Sequence, residues 1–262
     1  MKKITLFILL ALCLILNPAI GLSKMRTINK VRAGTPPFEI VKKILKANGT
    51  ALKNGYSANL SNFAPYMTWL SSPDARIQPQ LILPKPAGMI YTCRNFGAQL
   101  ELSTGPIDYG VRHLLTPALM ITLDSDNQAI RFFTEGYKNL PLSIRRDLDH
   151  LHLALAKDNP KAPMAERIIA NVEANIDFQV DQAVARYDDR VRNGRLVVIG
   201  SVVDFDNIYK RGAGRLIIIN INGERDNAKL RSMSIMNSID PKLRKLSVGR
   251  EKPKKKKKLI KE

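Results

Sequence analysis

Apolar strand-like runs alternate with helical patterns along most of this chain, and this alternation constrains the fold more than any other feature. Strands that alternate with helices are typical of a parallel sheet covered by helices. The sequence therefore predicts an α/β fold with a mainly parallel central sheet flanked by helices. The 262 residues, less the termini, leave about 200, which is enough for one sizeable core. Apolar residues make up 45% of the chain, which argues against global disorder.

The pattern predicts particular elements. Strands are expected over residues 66–70, 88–93, 117–123, 195–203 and 214–221. Helices are expected over residues 38–46, from Gly105-Pro106 onward, after Asp124, and over 142–156 and 164–192. The last of these keeps one apolar face through steps of three and four residues. Gly194 fits the left-handed position that often follows a helix.

Two polar segments directly follow predicted strands. The first is Ser72-Pro73-Asp74-Ala75-Arg76, and the second begins at Asp124 and reads Asp-Ser-Asp-Asn-Gln-Ala. Ligands of α/β folds bind at the carboxyl ends of the strands. These segments are therefore the candidate functional site.

With the framework around them, the two segments resemble the metal-binding segments of β-class carbonic anhydrases. That family has Cys-x-Asp-Ser-Arg in the first segment and Gly-His-x-x-Cys-Gly-Ala in the second. Three further runs resemble the family in the same order: Arg94-Asn95-Phe96-Gly97, the helix from Pro106 to Leu114, and Gly194 to Ser201. The resemblance spans roughly residues 36 to 225 and implies the fold of the family.

The resemblance also implies a changed metal site. The family holds zinc with two thiolates and an imidazole, whereas Ser72, Asp124 and Asn127 stand at those positions here. Neutral hydroxyl and amide oxygens are poor zinc donors, so no zinc cofactor is expected; zinc belongs to the site only if the family activity is retained. Asp74 and Arg76 match the Asp–Arg pair that orients the metal-bound water in the family, and they are the candidate catalytic residues. Their pairing can also persist for structural reasons.

Oxygen atoms dominate both segments, which leaves a second interpretation of the site. Carboxylate, hydroxyl and amide oxygens are ligands for Ca²⁺ or Mg²⁺, and five residues could converge on such an ion: Ser72, Asp74, Asp124, Asp126 and Asn127. Against this, Arg76 competes for Asp74, and Asp126 could instead cap the following helix.

His150 and His152 are two residues apart, on different helical faces, and are expected to be solvated surface residues.

The N-terminus has the pattern of an export signal. Lys2 and Lys3 precede a mostly apolar run from residue 4 to 16, and Ala19-Ile20-Gly21 offers small residues for cleavage. This predicts a signal peptide over residues 1–21 and a periplasmic or secreted protein; an uncleaved anchor is the alternative.

Cleavage would leave Cys93 as the only thiol, which excludes an intramolecular disulfide. Cys93 lies in an apolar run and is expected to be buried and inert.

Positive charge is concentrated near the C-terminus. The chain carries a net charge of +19, and residues 231–262 hold 12 Lys/Arg against three acidic residues. The run from Lys254 to Lys258 cannot be buried, so residues 231–262 are predicted to be a disordered basic tail. Its expected partner is an anionic membrane surface, nucleic acid or an acidic protein; a purely solubilising tail is the alternative. No aromatic residue interleaves the lysines, which argues against stacking on single-stranded nucleic acid.

Together these features predict an exported protein with a β-carbonic-anhydrase-like fold that is a binding or scaffold protein without the zinc chemistry. The resemblance implies a homodimer, in which the helix over 38–46 embraces the second subunit. The cleft beside Arg76 is a candidate site for a small anion. The alternative is a carbonic anhydrase or related lyase that hydrates CO₂ through an unusual metal site.

Overall fold

The computed structural model describes residues 37–53 and 63–250. These residues belong to two units, divided between Gly55 and Tyr56. The first unit contains a single described helix, α1 (Pro37–Lys53). The predicted signal peptide and the run from Lys254 to Lys258 lie outside the described residues. Within the described part of the chain, no helix is long and apolar enough to cross a membrane.

The second unit is built on one five-stranded sheet. Its strands are β1 (Met67–Ser71), β2 (Ile90–Arg94), β3 (Ala118–Asp124), β4 (Val197–Asp204) and β5 (Arg215–Ile221). Their order in the sheet is β2-β1-β3-β4-β5, and every pairing is parallel except that of β4 with β5. The predicted mainly parallel α/β sheet is therefore confirmed.

The described residues of this unit form seven α-helices. They are α2 (Thr104–Asp108), α3 (Gln128–Glu135), α4 (Leu142–Asp149), α5 (Met164–Arg186), α6 (Asp188–Arg192), α7 (Asn227–Ser232) and α8 (Pro241–Ser247). A π-helical turn, Tyr109–His113, continues α2. Gly110 is needed in this turn, because a Cβ atom there would lie 2.2 Å from the hydroxyl oxygen of Thr68 in β1.

The main core lies between the sheet and helix α5. Ile168, Val172, Ile176 and Val180 of α5 are buried against strand residues such as Ile121. The opposite side chains of β1, Met67 and Trp69, belong to a smaller cluster with Ile77 and Met120. The alternation of β1 residues between two clusters follows from the two-residue period of a strand.

The predicted helix over 164–192 is interrupted, which corrects its boundaries. α5 ends at Arg186, and Tyr187 leaves the helical conformation, with φ −114° and ψ 25°. Its side chain is fully buried, and its hydroxyl donates a hydrogen bond to Asp108 at 2.8 Å. This tertiary contact outweighs the apolar periodicity that favoured one continuous helix. Gly194, with φ 67°, has the predicted left-handed conformation.

Residues 227–250 also differ from the sequence prediction, because they are folded. α7 and α8 cover the end of β5, and Met236 and Val248 are buried with Ile221 and Leu230. The folded domain therefore extends past residue 225, and the first part of the segment predicted as a disordered tail, residues 231–250, belongs to it. The remaining tail residues, 251–262, lie outside the described part of the chain.

Candidate functional site

The candidate site lies at the carboxyl edge of the sheet, where β1 and β3 end side by side. These strands are parallel neighbours, with Ser71 opposite Thr122, so the residues that follow them meet in space. Ser72 is the first residue after β1, and Asp124 is the last residue of β3. The backbone N–H of Ser72 donates to the carbonyl oxygen of Thr122 at 3.3 Å, which fixes the first segment against the second.

Ser72, Asp124 and Asn127 are hydrogen bonded to one another. The Ser72 hydroxyl donates to Oδ1 of Asp124 at 3.3 Å, and Nδ2 of Asn127 donates to the same oxygen at 2.8 Å. All three residues are buried. The structure thus brings together the three residues that the sequence analysis singled out, and it joins them through one carboxylate.

Asn127 has a second role at the start of α3. Its Oδ1 accepts hydrogen bonds from the backbone N–H groups of Ala129, at 3.1 Å, and Ile130, at 3.4 Å. Asn127 is therefore the N-cap. The interpretation of Asp126 as the cap is wrong; its carboxylate instead forms an ion pair with Arg131. Asp126 and Asn127 are neighbours in the chain, and the sequence pattern alone does not show which of the two caps the helix.

Asp124 is the most buried carboxylate of the site. Its Oδ2 makes no hydrogen bond and lies 3.7 Å from Nη2 of Arg76. Burial raises the pKa of Asp124 above its ordinary value, while the hydrogen bond from Asn127 and the charge of Arg76 act in the opposite direction.

Asp74 and Arg76 form a forked ion pair. Nε of Arg76 donates to Oδ1 of Asp74 at 3.1 Å, and Nη2 donates to Oδ2 at 2.7 Å. The backbone N–H of Arg76 also donates to Oδ1, at 2.7 Å. Partial burial acts to raise the pKa of Asp74, but these hydrogen bonds outweigh it and hold the pKa below its ordinary value.

Arg76 is surrounded by groups from three strand ends. Its guanidinium carbon lies 4.3 Å from the centre of the Phe205 ring, directly after β4. The hydrogen bonds to Asp74 raise the pKa of Arg76, and the negative charges of Asp74, Asp124 and Asp206 act in the same direction. The Ser125 hydroxyl donates to Asp206 at 3.3 Å. The side chain of Arg76 is 43% exposed, so the pair lies at the mouth of the site.

The sequence analysis missed Phe205, Asp206 and Arg131. The first two directly follow β4, a third parallel strand of the same sheet. The rule that ligand groups lie at the carboxyl ends of parallel strands would have found them had it been applied to β4 as well. Arg131 could have been found from its spacing to Glu135, because residues four apart on a helix are neighbours.

The donor set fits zinc poorly. Zinc sites use thiolates, imidazoles and carboxylates, whereas these three positions supply one carboxylate, one hydroxyl and one amide. The amide of Asn127 is engaged at both ends, and Oδ1 of Asp124 already accepts two hydrogen bonds.

The five oxygen-bearing residues proposed for a hard cation are divided among different partners. Asp74 pairs with Arg76 and Asp126 pairs with Arg131, while Ser72, Asp124 and Asn127 bond to one another. Among the described residues, no group of three or more His, Cys, Asp or Glu side chains is arranged to hold a metal ion.

Cys93 is buried in the sheet, and His150 and His152 contact side chains other than those of the site. Cys93 is a free, buried thiol in β2, and burial raises its pKa to about 11, as expected for an inert thiol. Nε2 of His152 lies 2.8 Å from the Tyr137 hydroxyl, which also donates to Asp149 at 2.6 Å. His150 lies 3.6 Å from the Glu101 carboxylate.

Comparison with known proteins identifies the family. A family model described as carbonic anhydrase matches residues 67–210, which is more than half of the chain and includes every site residue named above. The chain belongs to the β-carbonic anhydrase family. No curated protein sequence matches it significantly.

Solved structures of β-carbonic anhydrases share the fold. A tetrameric enzyme from the filamentous ascomycete Sordaria macrospora is 16% identical, with 70% of this chain and 95% of that chain covered and a TM-score of 0.57. The Coccomyxa enzyme in complex with acetazolamide is 15% identical, with 76% and 92% covered and a TM-score of 0.57. CafA of the fungal pathogen Aspergillus fumigatus is 19% identical, with 70% and 89% covered and a TM-score of 0.53. At these identities the likeness shows the fold alone.

Proposed function

We propose that this member of the β-carbonic anhydrase family is a binding or scaffold protein that does not hold the family's zinc ion and does not hydrate CO₂. One observation carries the proposal: Ser72 and Asn127 both donate hydrogen bonds to the buried carboxylate of Asp124. These bonds engage all three side chains without a metal, and Oδ2 of Asp124, which makes no hydrogen bond, lies 3.7 Å from Nη2 of Arg76.

The chemistry of CO₂ hydration explains why this matters. The reaction needs a strong nucleophile at neutral pH, and zinc supplies one by lowering the pKa of its bound water from about 16 to about 7. Neutral hydroxyl and amide groups bind zinc weakly, and loss of both thiolates leaves one anionic ligand. The described side chains at the mouth of the site, Asp74 and Arg76, are paired with each other and do not replace that nucleophile.

The ligand proposed for the cleft is a small anion beside Arg76. Asp74 engages Nε and Nη2 of Arg76, which leaves Nη1 for a further acceptor. The exposed guanidinium and the adjacent Phe205 ring offer one charged and one apolar contact. The neighbouring carboxylates of Asp124 and Asp206 oppose an anion, so only weak binding is expected.

Metal analysis of the purified protein tests the proposal. We expect no stoichiometric zinc and no CO₂ hydration above the uncatalysed rate. A matched variant, Ser72→Cys/Asp124→His/Asn127→Cys, restores the family's ligand types and is expected to bind zinc, which shows that the assay can detect an occupied site. Stoichiometric zinc in the unaltered protein, with hydration that Asp124→Ala abolishes, would overturn the proposal.

The second candidate function is a carbonic anhydrase or related lyase that uses an unusual metal set. The observation that favours it is the forked Asp74–Arg76 pair, because the resemblance gives these two residues the role of the family's catalytic pair. If this candidate is correct, Asp74→Asn lowers kcat for hydration while the metal content stays unchanged. If the pair is only structural, the same variant lowers the thermal stability and changes no activity.

We also propose that the protein is exported, forms a homodimer and is held at an anionic membrane by its basic tail. The support is the sequence pattern of residues 1–21 and the five lysines from Lys254 to Lys258. Removing residues 251–262, which keeps the folded Arg250, is expected to release the protein from anionic vesicles at low salt. Unchanged vesicle binding, or binding to nucleic acid in preference to vesicles, contradicts the membrane role of the tail.

A further inference from the structure

Positive charge in the described part of the second unit is concentrated in residues 210–250. Residues 63–209 carry 15 Lys/Arg and 17 Asp/Glu, a net charge of −2, whereas residues 210–250 carry 10 and 3, a net charge of +7. Two of these three carboxylates, Asp226 and Asp240, cap the helices α7 and α8. The third, Glu224, lies 3.8 Å from a lysine of α7. The net positive charge of residues 63–250 therefore comes from their last 41 residues.

Four arginines of this region meet around one stretch of backbone. Arg211 and Arg231 both donate to the carbonyl oxygen of Val248, from Nη1 at 3.3 Å and from Nη2 at 2.8 Å, respectively. Arg244 donates to the carbonyl oxygen of Arg231 at 2.9 Å, and Arg215 donates to that of Arg211 at 2.6 Å. A backbone carbonyl carries no net charge, so these bonds fix the guanidinium groups without neutralising them. These four partly exposed residues form the arginine cluster.

Helix α8 adds exposed side chains next to Arg244. Lys242 and Lys245 are exposed and lie three residues apart, which places them on one side of the helix. Leu243 of the same helix is 50% exposed, and Ile235, in the turn that precedes α8, is 48% exposed. Basic and large apolar side chains are therefore both accessible in this region.

The chemistry of residues 210–250 favours an anionic lipid surface as their partner. Anionic headgroups attract clustered Lys and Arg side chains, and the boundary below the headgroups accepts apolar ones. Proteins that bind single-stranded nucleic acid combine basic grooves with aromatic side chains on which the bases stack. Residues 210–250 contain no aromatic residue, so they lack such a platform.

The sheet edge next to the arginine cluster is occupied by the chain itself. β5 is the last strand of the sheet, and its Ile218 forms a parallel bridge with Val248. The backbone N–H of Gly249 donates to the carbonyl oxygen of Ile218 at 2.8 Å. An open edge strand is a template for pairing with another chain, and this bridge covers the template at Ile218. A symmetric contact between two copies at this surface would also bring two arginine clusters together.

We propose that the arginine cluster, together with Lys242, Leu243 and Lys245, is a folded docking surface for an anionic membrane. The basic side chains contact the headgroups, and Leu243 enters the boundary between headgroups and acyl chains. The inference rests on the membrane attachment proposed above for the basic tail and adds a contact made by different residues. Residues 251–262 follow Arg250 directly in the chain, so the tail and the folded surface act on the same membrane, and loss of either weakens attachment.

Charge reversal in the full chain tests this surface. Lys242→Glu/Lys245→Glu should weaken binding to phosphatidylglycerol vesicles at low salt at least about tenfold, because two attractive charges become repulsive. The control, Lys138→Glu/Lys161→Glu, makes the same change in net charge at two exposed lysines outside residues 210–250. It should change the affinity less than about twofold, because the attraction falls off within a Debye length of the membrane. If the first variant weakens binding no more than the control does, the proposal is wrong.

Tryptophan reporters test the contact itself. The protein has one tryptophan, Trp69, which is fully buried, so the unaltered protein should show little quenching by brominated lipid. Leu243→Trp places a reporter in the proposed surface, and Leu142→Trp places one at a similarly exposed position of α4. Vesicles of brominated phosphatidylglycerol should quench Leu243→Trp strongly and Leu142→Trp only weakly. Equal quenching of the two variants, or none of Leu243→Trp, contradicts the proposal.

Sedimentation and nucleic-acid binding distinguish the competing partners. If Lys242→Glu/Lys245→Glu dissociates an oligomer and leaves vesicle binding unchanged, the surface belongs to a second copy of the chain. If the unaltered protein prefers a duplex oligonucleotide to the vesicles and this variant loses that preference, the partner is nucleic acid. Either result overturns the proposal. Failure of the tail proposal is seen separately, as unchanged vesicle binding after removal of residues 251–262, and none of these measurements depends on the metal content of the cleft.

Discussion

At the scale of single residues, Asp124 organises the site because two neighbours donate to one of its oxygens. Ser72 extends from the end of β1 and Asn127 from the start of α3, so the carboxylate joins three segments of the chain. A hydrogen bond to a charged group contributes about 1.5–3 kcal/mol, more than a neutral one. This network therefore connects the end of β1 with the end of β3 and the start of α3.

Replacing Asn127 with Ala should destabilise the protein by roughly 2–4 kcal/mol. The variant loses the N-cap of α3, which is worth about 1 kcal/mol, and it removes a donor from the buried Asp124 carboxylate. Asp226→Ala is the matched control, because Asp226 caps α7 through Ala228 and Lys229 at an exposed position. That control should cost only about 1 kcal/mol. Equal losses in chemical denaturation would show that the bond to Asp124 contributes nothing.

Asp124 should also make stability depend on pH. Burial raises its pKa above 3.8, so the folded state binds this proton more tightly than the unfolded chain does. The stabilising effect of protonation is fully present below pH 3.8 and is lost as the pH rises through the folded pKa. Asp124→Asn does not titrate, so its melting temperature relative to the unaltered protein should increase between pH 4 and pH 7.

Asp74→Asn is the control, because the pKa of Asp74 is shifted in the opposite direction. The pKa of Asp74 is lowered, so the stability that it contributes is present above 3.8 and is lost only as the pH falls through its folded pKa. Between pH 5 and pH 7, Asp74→Asn should therefore lower the melting temperature by a nearly constant amount. If the difference in melting temperature between Asp124→Asn and the unaltered protein is also constant, the pKa of Asp124 is the same in the folded and the unfolded state.

At the scale of elements, periodicity located the strands to within a few residues but did not place their ends or partners. The predicted run over 117–123 became β3, Ala118–Asp124, because apolar alternation marks burial directly. The break at Tyr187 depends on Asp108, 79 residues earlier in the chain, and no local pattern contains that contact. The same limit applies to the site: positions at the ends of predicted strands placed Ser72 and Asp124 together, whereas the contact between Arg76 and Phe205 needed the sheet order.

The packing of α5 on β4 requires a residue without a side chain. A Cβ atom at Gly200 would lie 2.5 Å from Cγ2 of Ile176 and 3.0 Å from Cγ2 of Val180. Gly200→Ala should therefore destabilise the protein by about 1–3 kcal/mol, the usual cost of overpacking a core. Gly105→Ala is the control, since a Cβ atom there has nothing within 4 Å and the residue is helical. It should be neutral or stabilising by up to about 1 kcal/mol, as measured by thermal denaturation.

At the scale of the whole molecule, Arg250 binds the C-terminal segment, residues 227–250, to the core. Arg250 donates to both oxygens of Asp177, at 3.1 and 3.0 Å, and to the carbonyl oxygen of Ile219 at 3.0 Å. Its Nη1 also lies 3.5 Å from Oε2 of Glu173. Composition alone assigned Arg250 to a disordered basic tail, because a count of charges does not show which of them have acidic partners in the fold.

Arg250 and the lysines that follow it should therefore have separable effects. Arg250→Ala removes one cation from the largely buried Asp177 and Glu173, although Arg225 still lies 3.5 Å from Asp177, and it should destabilise the protein by roughly 2–4 kcal/mol. Removal of residues 251–262 should leave the free energy of unfolding nearly unchanged and weaken only the binding to anionic vesicles. Chemical denaturation should show a loss of stability for Arg250→Ala alone. Vesicle sedimentation should show weaker binding for the truncated protein alone. If Arg250→Ala leaves stability intact, the ion pairs with α5 do not hold the segment, and burial of Met236 and Val248 is sufficient to fold it.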